Sequence, residues 1–221
     1  MAQKPRGRAG KATGTTGISP RDRAIDAFLR LLEDHSFHEI GLSEIANGAG
    51  LSLAELRALF PGKYAIVSAF SERIDGEVLG GEAPEGETGR DRLFDIMMRR
   101  FEALGPHKAA VRALAQAGTR DPCLAGLLHR NSLRSLQWLK AAADVHRSGL
   151  VGLLAGEGLA LVQAETFRVW LNDEDPGLAR TMAALDKGLR RGEKALGFVD
   201  TLCSRLRPFA ERAEPKPQAA G

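Results

Sequence analysis

The sequence predicts an all-α protein: a small N-terminal three-helix head, then a larger helical-bundle body, about nine helices in all. Three observations predict it. The apolar content is mostly Leu and Ala, both good helix formers, and aromatics make up only 5% of the chain. No stretch rich in Val, Ile and Thr alternates with period two, so no strand is expected. Apolar residues instead recur three and four apart, in segments separated by Gly and Pro. The 221 residues suffice for a small domain plus a medium one.

The chain opens with Lys4, Arg6, Arg8 and Lys11, set among Gly, Ala and Thr, with no acid before Asp22. Nothing there can build a core, so residues 1–18 read as a disordered basic arm; a solubilising tail is the plainer reading of the same residues. Ser19-Pro20 starts the first helix, a capping hydroxyl before a proline at the first helical position. Ile25, Phe28, Leu29 and Leu32 follow at helical spacing, the helix ends near His35–Ser36, and Phe37 and Ile40 fold back onto it. Leu42–Phe60 is a compact region closed by Pro61-Gly62. Lys63–Leu79 is a further helix with Ile66, Val67, Phe70 and Ile74 on one face.

Residues 19–79 thus form the head. Gly80–Gly89, glycine-rich and acidic with Pro84, is the linker. The body occupies residues 90–207. Its helices are expected over Arg90–Leu104, Val111–Gly118, Asp121 to about Arg147, Gly149–Leu171, Leu178–Arg191 and Lys194–Leu206, with an acidic turn at Asn172–Pro176. Residues 208–221 read as a disordered tail.

The chemistry is concentrated in Leu42–Leu56. Ile45 and Ala46 belong to a short helix, and Ala49 is small enough for a second helix to cross closely. Gly50 supplies the positive φ of a tight turn, Leu51 plugs the gap, Ser52 caps the next helix and Leu56 faces inward. Small residue, glycine, aliphatic and capping serine make a helix-turn-helix, whose second helix, from about Ser52 to Leu59, can lie in a major groove. Glu55 and Arg57 fit two readings. One has them accepting from a cytosine amino group and forking onto a guanine; the other leaves both as solvated surface.

Ile45-Ala46, Ala49-Gly50-Leu51-Ser52, Leu56, Phe60 and Lys63, with Ile25, Ala27 and Leu29 before them, resemble the DNA-binding head of TetR-family transcriptional regulators over roughly residues 19–75. The resemblance implies a homodimer, double-stranded operator DNA as partner, and a body that binds a small, often apolar effector and so alters the spacing of two heads, as in a repressor released by its ligand. It implies that Lys63 contacts phosphate, that the Ser52 cap lies near the DNA backbone, and that Leu51, Leu56 and Phe60 are core. Ser43, Leu53, Ala54, Glu55 and Arg57 are then the DNA-facing positions, with Arg6 and Arg8 of the arm reaching a minor groove.

The chain departs from the family at Gly41, where a hydroxyl residue is usual, at Leu53, at Ala54-Glu55 in place of Gly-Thr, and at Arg57 and Leu59 in place of aromatics. Between Leu42 and Lys63 the charges of Glu44, Glu55, Arg57 and Lys63 sum to zero, whereas DNA affinity grows with neutralised phosphates.

The segment Arg168–Met182 is similar to part of the ubiquinone-biosynthesis lipid-binding proteins, which share the TetR fold: an acidic turn with proline, then a helix containing Thr181. That likeness implies the alternative function, a non-enzymatic lipid-binding accessory protein that has lost DNA binding and touches lipid or membrane. Ala195, Val199, Leu202, Cys203 and Leu206 share one helical face that can lie on a membrane. Dimer or core packing is the plainer reading of that face.

Phe94, Met97, Met98, Phe101, Trp138, Phe167 and Trp170 are the bulky, adaptable side chains expected to line an apolar effector pocket, though each on its own also fits plain core. His35 and His38 stand three apart beside Glu39 but fit a helix C-terminus better than a metal site. His107, His129 and His146 have no ligand spacing, so no metal and no cofactor is expected. Neither a nucleophile elbow nor a phosphate loop occurs, and no catalytic residue is assigned. Cys123 and Cys203 form no framework, and Glu157, Gln163, Glu165 and Arg168 interrupt the most apolar stretch, so a cytoplasmic protein is expected.

Overall fold

The computed structural model describes residues 18–146 and 149–211, with no side-chain account of 150, 199, 200 and 202–211. The arm with Arg6 and Arg8, and the end of the chain beyond 211, lie outside the described residues. So do the side chains of Val199, Leu202, Cys203 and Leu206.

Nine α-helices follow one another among the described residues: α1 (Pro20–Asp34), α2 (Leu42–Ala49), α3 (Leu53–Leu59), α4 (Lys63–Leu79), α5 (Gly89–Leu104), α6 (Lys108–Gly118), α7 (Pro122–Ala142), α8 (Gly149–Leu171) and α9 (Ala179–Glu211), with one 3-10 turn at Gly105–His107. No strand occurs among them.

α1 starts as its sequence dictates. The Ser19 hydroxyl accepts from Asp22 N at 3.0 Å and Pro20 occupies the first turn. Its inward face, Ala24, Ile25, Phe28, Leu29 and Leu32, is buried. Phe37 does fold back, fully buried, its ring edge-on to Phe28 at 6.2 Å. α4 is shared between head and body. Arg73 ties it to Asp26 of α1 at 2.7 Å, while it also packs along α7.

Between α4 and α5 the chain runs non-helically over residues 80–88, yet it is held. Arg99 donates to Glu82 O at 2.7 Å, and Glu85 N donates to Asp95 at 3.0 Å. The Tyr64 hydroxyl crosses to the body, donating at 2.8 Å to Asp121, the N-cap of α7.

Three boundaries differ from the sequence expectation. α5 starts at a capping box that was not read, with Thr88 and Asp91 exchanging hydrogen bonds. α7 stops at Ala142, short of Arg147, because Asp144 adopts φ 55° and Val145 N donates back to Lys140 O at 2.9 Å. The two expected last helices are one. α9 runs through Gly192 to Glu211, beyond Leu206 and into the segment expected as tail. It packs along α8 more extensively than any other pair of helices meets. A Cβ on Gly188 would lie 2.6 Å from Val162 Cγ1, so this crossing needs glycine.

Candidate nucleic-acid interface and ligand cavity

The turn between α2 and α3 has the geometry its residues call for. Gly50 takes φ 64° and ψ 41°, the left-handed conformation only glycine adopts freely, and its N–H bonds back to Asn47 O. Leu51, Leu56 and Phe60 are buried beneath it. Ser52 caps α3 reciprocally. Glu55 N donates to its hydroxyl at 3.2 Å, and Glu55 Oε2 accepts from Ser52 N and Oγ, both at 2.8 Å. Those bonds from Ser52 hold the Glu55 carboxyl below the usual range. Glu55 is therefore engaged in the cap, while exposed.

At the start of α2 Gly41 offers no side-chain cap, and the Glu44 carboxylate accepts from Gly41 N at 2.7 Å. Arg23 and Arg30, unremarked in the sequence, reach from α1 to the carbonyls of Ala49 and Gly48 at the other end of α2.

The outward face of α3 is exposed at Leu53, Ala54, Arg57 and Leu59, and Leu53 keeps 53% of its surface. Ser43 is exposed on α2. Among the described residues Arg57 has no hydrogen-bond or ion-pair partner, and it is exposed. Lys63 is placed differently from the phosphate contact that the resemblance implies. Its Nζ donates inward to Phe37 O at 2.8 Å, Ile40 O at 3.3 Å and His38 O at 3.4 Å, and lies 4.5 Å from the Phe37 ring. Desolvation in this nest lowers its basicity. The amine staples the loop between α1 and α2 to the start of α4.

In the body, a partly open cavity of about 300 Å³ is lined by α4, α5, α6, α7 and α8. Its apolar wall includes Val67, Phe70, Leu104, Val111, Leu114, Leu128 and Phe167. The cavity is also lined by Ser71, Arg100, His129, Asn131, Ser132 and Gln163. Beside it a narrow void, with no room for water, is lined by Met97, Phe101, Leu139 and again Arg100 and Gln163.

Of the expected pocket residues, Phe167 alone lines the larger cavity, and Met97 and Phe101 line the void. Phe94, Met98, Trp138 and Trp170 line neither. Met98 and Trp170 are core, Phe94 packs against that core, and Trp138 is 63% exposed on the outer face of α7. Trp170 is instead a hub, between the Phe101 and Phe167 rings with Lys108 Nζ 5.1 Å above it.

The polar side was not anticipated. Arg100, buried on α5, donates from Nε to Asp75 at 3.0 Å and from Nη2 to Ser135 at 3.3 Å, while the Ser135 hydroxyl donates to the other Asp75 oxygen at 2.5 Å. Ser68 pairs with Asn131, and Ser132 donates to Gln163 Oε1 at 3.3 Å.

No protein-family model matches the chain. It is 28% identical over 153 residues to the HTH-type transcriptional regulator EthR of Mycobacterium tuberculosis, covering 66% of this chain and 69% of that one. Its fold superposes on the TetR transcriptional regulator of Nitrosomonas europaea with a TM-score of 0.64 at 20% identity, over 80% of this chain and 99% of that one. A TetR-family regulator of Streptomyces coelicolor superposes with a TM-score of 0.57 at 20% identity, over 90% and 91%.

This is a TetR-family fold. The chain thus has the TetR-family fold and is similar in sequence to EthR, a transcriptional regulator. Within that fold the acidic turn has a structural use. The buried Asp173 carboxylate accepts from Thr181 N at 2.9 Å and from its hydroxyl at 2.7 Å, which lowers its pKa and pins α8 to α9. Asp175 accepts from Gly177 N and Ala179 N. The pattern shared with the lipid-binding proteins is thus spent on joining two helices. Among the described residues no helix is long and apolar enough to cross a membrane, and no three His, Cys, Asp or Glu gather as a metal site.

Proposed function

We propose that this chain is a DNA-binding transcriptional regulator, acting as a homodimer and released from its operator by a small, largely apolar molecule held in the body cavity. The observation that carries the reading is the turn at Gly50 with the Ser52–Glu55 capping box, which presents the face of α3 to solvent in the geometry of a groove-reading helix. Leu53 and Ala54 offer apolar contact to thymine methyls, and the unpaired Arg57 can fork onto a guanine. Ser43 and the Ser52 cap lie where a phosphate backbone passes. The arm with Arg6 and Arg8 supplies the positive charge that α3 lacks.

Two features support the rest. Exposed Leu154, Leu161 and Phe198 give α8 and α9 an apolar face suited to a second copy. α4 begins at Lys63 beside the head and carries Val67, Phe70 and Ser71 into the cavity wall, so an occupant and the head share one helix. Such a regulator works in the cytoplasm, beside the DNA it controls.

The test is titration of full-length protein onto its own upstream DNA and onto a random fragment at several salt concentrations. The expected result is preference for the upstream fragment, with a salt slope that shrinks when residues 2–18 are deleted. Equal binding of both fragments at every salt would overturn it for that promoter.

A further inference from the structure

The geometry points to the chemical class of the cavity's occupant: an uncharged amphiphile of about ten carbons, its carbonyl oxygen held jointly by Arg100 and Gln163. This rests on the reading of the cavity as the effector site, and it is argued from two unused donors.

Arg100 is 9% exposed and Gln163 is 7% exposed. Arg100 spends Nε on Asp75 and Nη2 on Ser71 and Ser135, while Nη1 makes no hydrogen bond. Gln163 Oε1 receives the Ser132 hydroxyl, and Nε2 makes none. Yet no fully enclosed side-chain nitrogen or oxygen among the described residues lacks a partner. Both nitrogens therefore keep some accessible surface. Arg100 and Gln163 are also the two residues that line both the cavity and the void beside it, so the two side chains meet at one end. Donors without acceptors inside a protein are costly, and one acceptor oxygen there satisfies both.

Charge decides what kind of oxygen. The Arg100 guanidinium is already balanced by Asp75 at 3.0 Å. His129, the other titratable side chain of the lining, faces Glu157 at 3.6 Å, so a carboxylate would add a negative charge to two already matched pairs, whereas a ketone, ester or amide carbonyl adds none. Volume sets the tail. About 300 Å³ equals roughly ten water volumes of liquid, which a chain of about ten carbons fills. Phe70, Leu104, Val111, Leu114 and Leu128 offer that tail apolar contacts.

Three eleven-carbon probes separate the possibilities on full-length protein without DNA: 2-undecanone and undecane by headspace partition, undecanoate by calorimetry. The ketone is expected to bind at least about tenfold tighter than either of the others. Gln163→Leu, which keeps the side-chain volume, is expected to weaken the ketone about tenfold and leave undecane unchanged. Ala160→Phe, which fills the cavity from α8, is expected to abolish binding of both. A ketone no tighter than undecane, a preference for undecanoate, undiminished ketone binding in Gln163→Leu, or binding that survives Ala160→Phe would each overturn the inference. Because no DNA is present, failure here leaves the operator reading standing, and failure of operator binding leaves this one standing.

Discussion

Lys63 offers the sharpest separation of a structural from a DNA-contacting role. Lys63→Met keeps the aliphatic stem and removes the ammonium. Three carbonyls, of Phe37, His38 and Ile40, then lose their donor, and the Phe37 ring loses a cation at 4.5 Å. A hydrogen bond from a charged donor contributes about 1.5–3 kcal/mol, and a partly exposed cation–π contact about 0.5–1 kcal/mol. Only the bond to Phe37 O, at 2.8 Å, is short, and water reaches the half-exposed amine, so the expected loss is about 2 kcal/mol. In a chain of this size that lowers Tm by about 4–8 °C. The assay is a circular dichroism melt at fixed protein concentration, paired with the salt dependence of DNA binding. The expected result is a lower Tm with an unchanged salt slope. An unchanged Tm with a slope reduced by about 0.9, the loss of one neutralised phosphate, would refute the inward staple.

Gly50→Ala places a Cβ that meets nothing within 4 Å, at φ 64°, so its cost is purely conformational, about 1–2 kcal/mol, read as a lower urea midpoint with unchanged m. Arg57 has no partner in the free protein, so Arg57→Ala should leave Tm alone and weaken operator binding by about 1–3 kcal/mol in an anisotropy titration; undiminished affinity would return Arg57 to plain surface. Asp173 has its pKa lowered chiefly by the Thr181 hydroxyl, so its contribution is complete above the unfolded carboxyl value near pH 4 and is lost as pH falls through the lower folded value. Urea midpoints from pH 7 to pH 2.5 should therefore decline on acidification, and Asp173→Asn should be less stable at pH 7 and flatter below pH 4. His107 is held below the usual imidazole range by burial and then by Arg73, so stability should also decline as pH falls below about 6.5, a decline that His107→Gln removes.

What was legible in the sequence was local. Gly50, Ser52, Leu51 and Leu56 act within a few residues of one another, so their spacing alone carries the turn. Ser19 was readable as a cap for the same reason. The end of α7 was not, because its left-handed residue is an aspartate rather than a glycine. Gly192 looked like a stop, but a mid-helix glycine costs only about 1 kcal/mol against alanine, which packing on α8 readily outweighs.

The cavity was the least legible feature because five helices build it. Phe167 and Trp170 stand three apart on α8, yet one lines the cavity and the other closes the core behind it. Composition made Trp138 a pocket residue, and only the packing of α7 shows it turned outward. Arg100, Asp75 and Ser135 come together across 25 to 60 residues of sequence, and nothing near any of them announces the others.

The central claim, that the exposed face of α3 reads DNA as one of a symmetric pair, is tested most directly by a hydroxyl-radical footprint of the full-length protein on its own upstream DNA. The account predicts two protected half-sites separated by one helical turn or a multiple of it, lost together in Arg57→Ala. Protection without two-fold symmetry, or none at any protein concentration in the absence of added ligand, would contradict it.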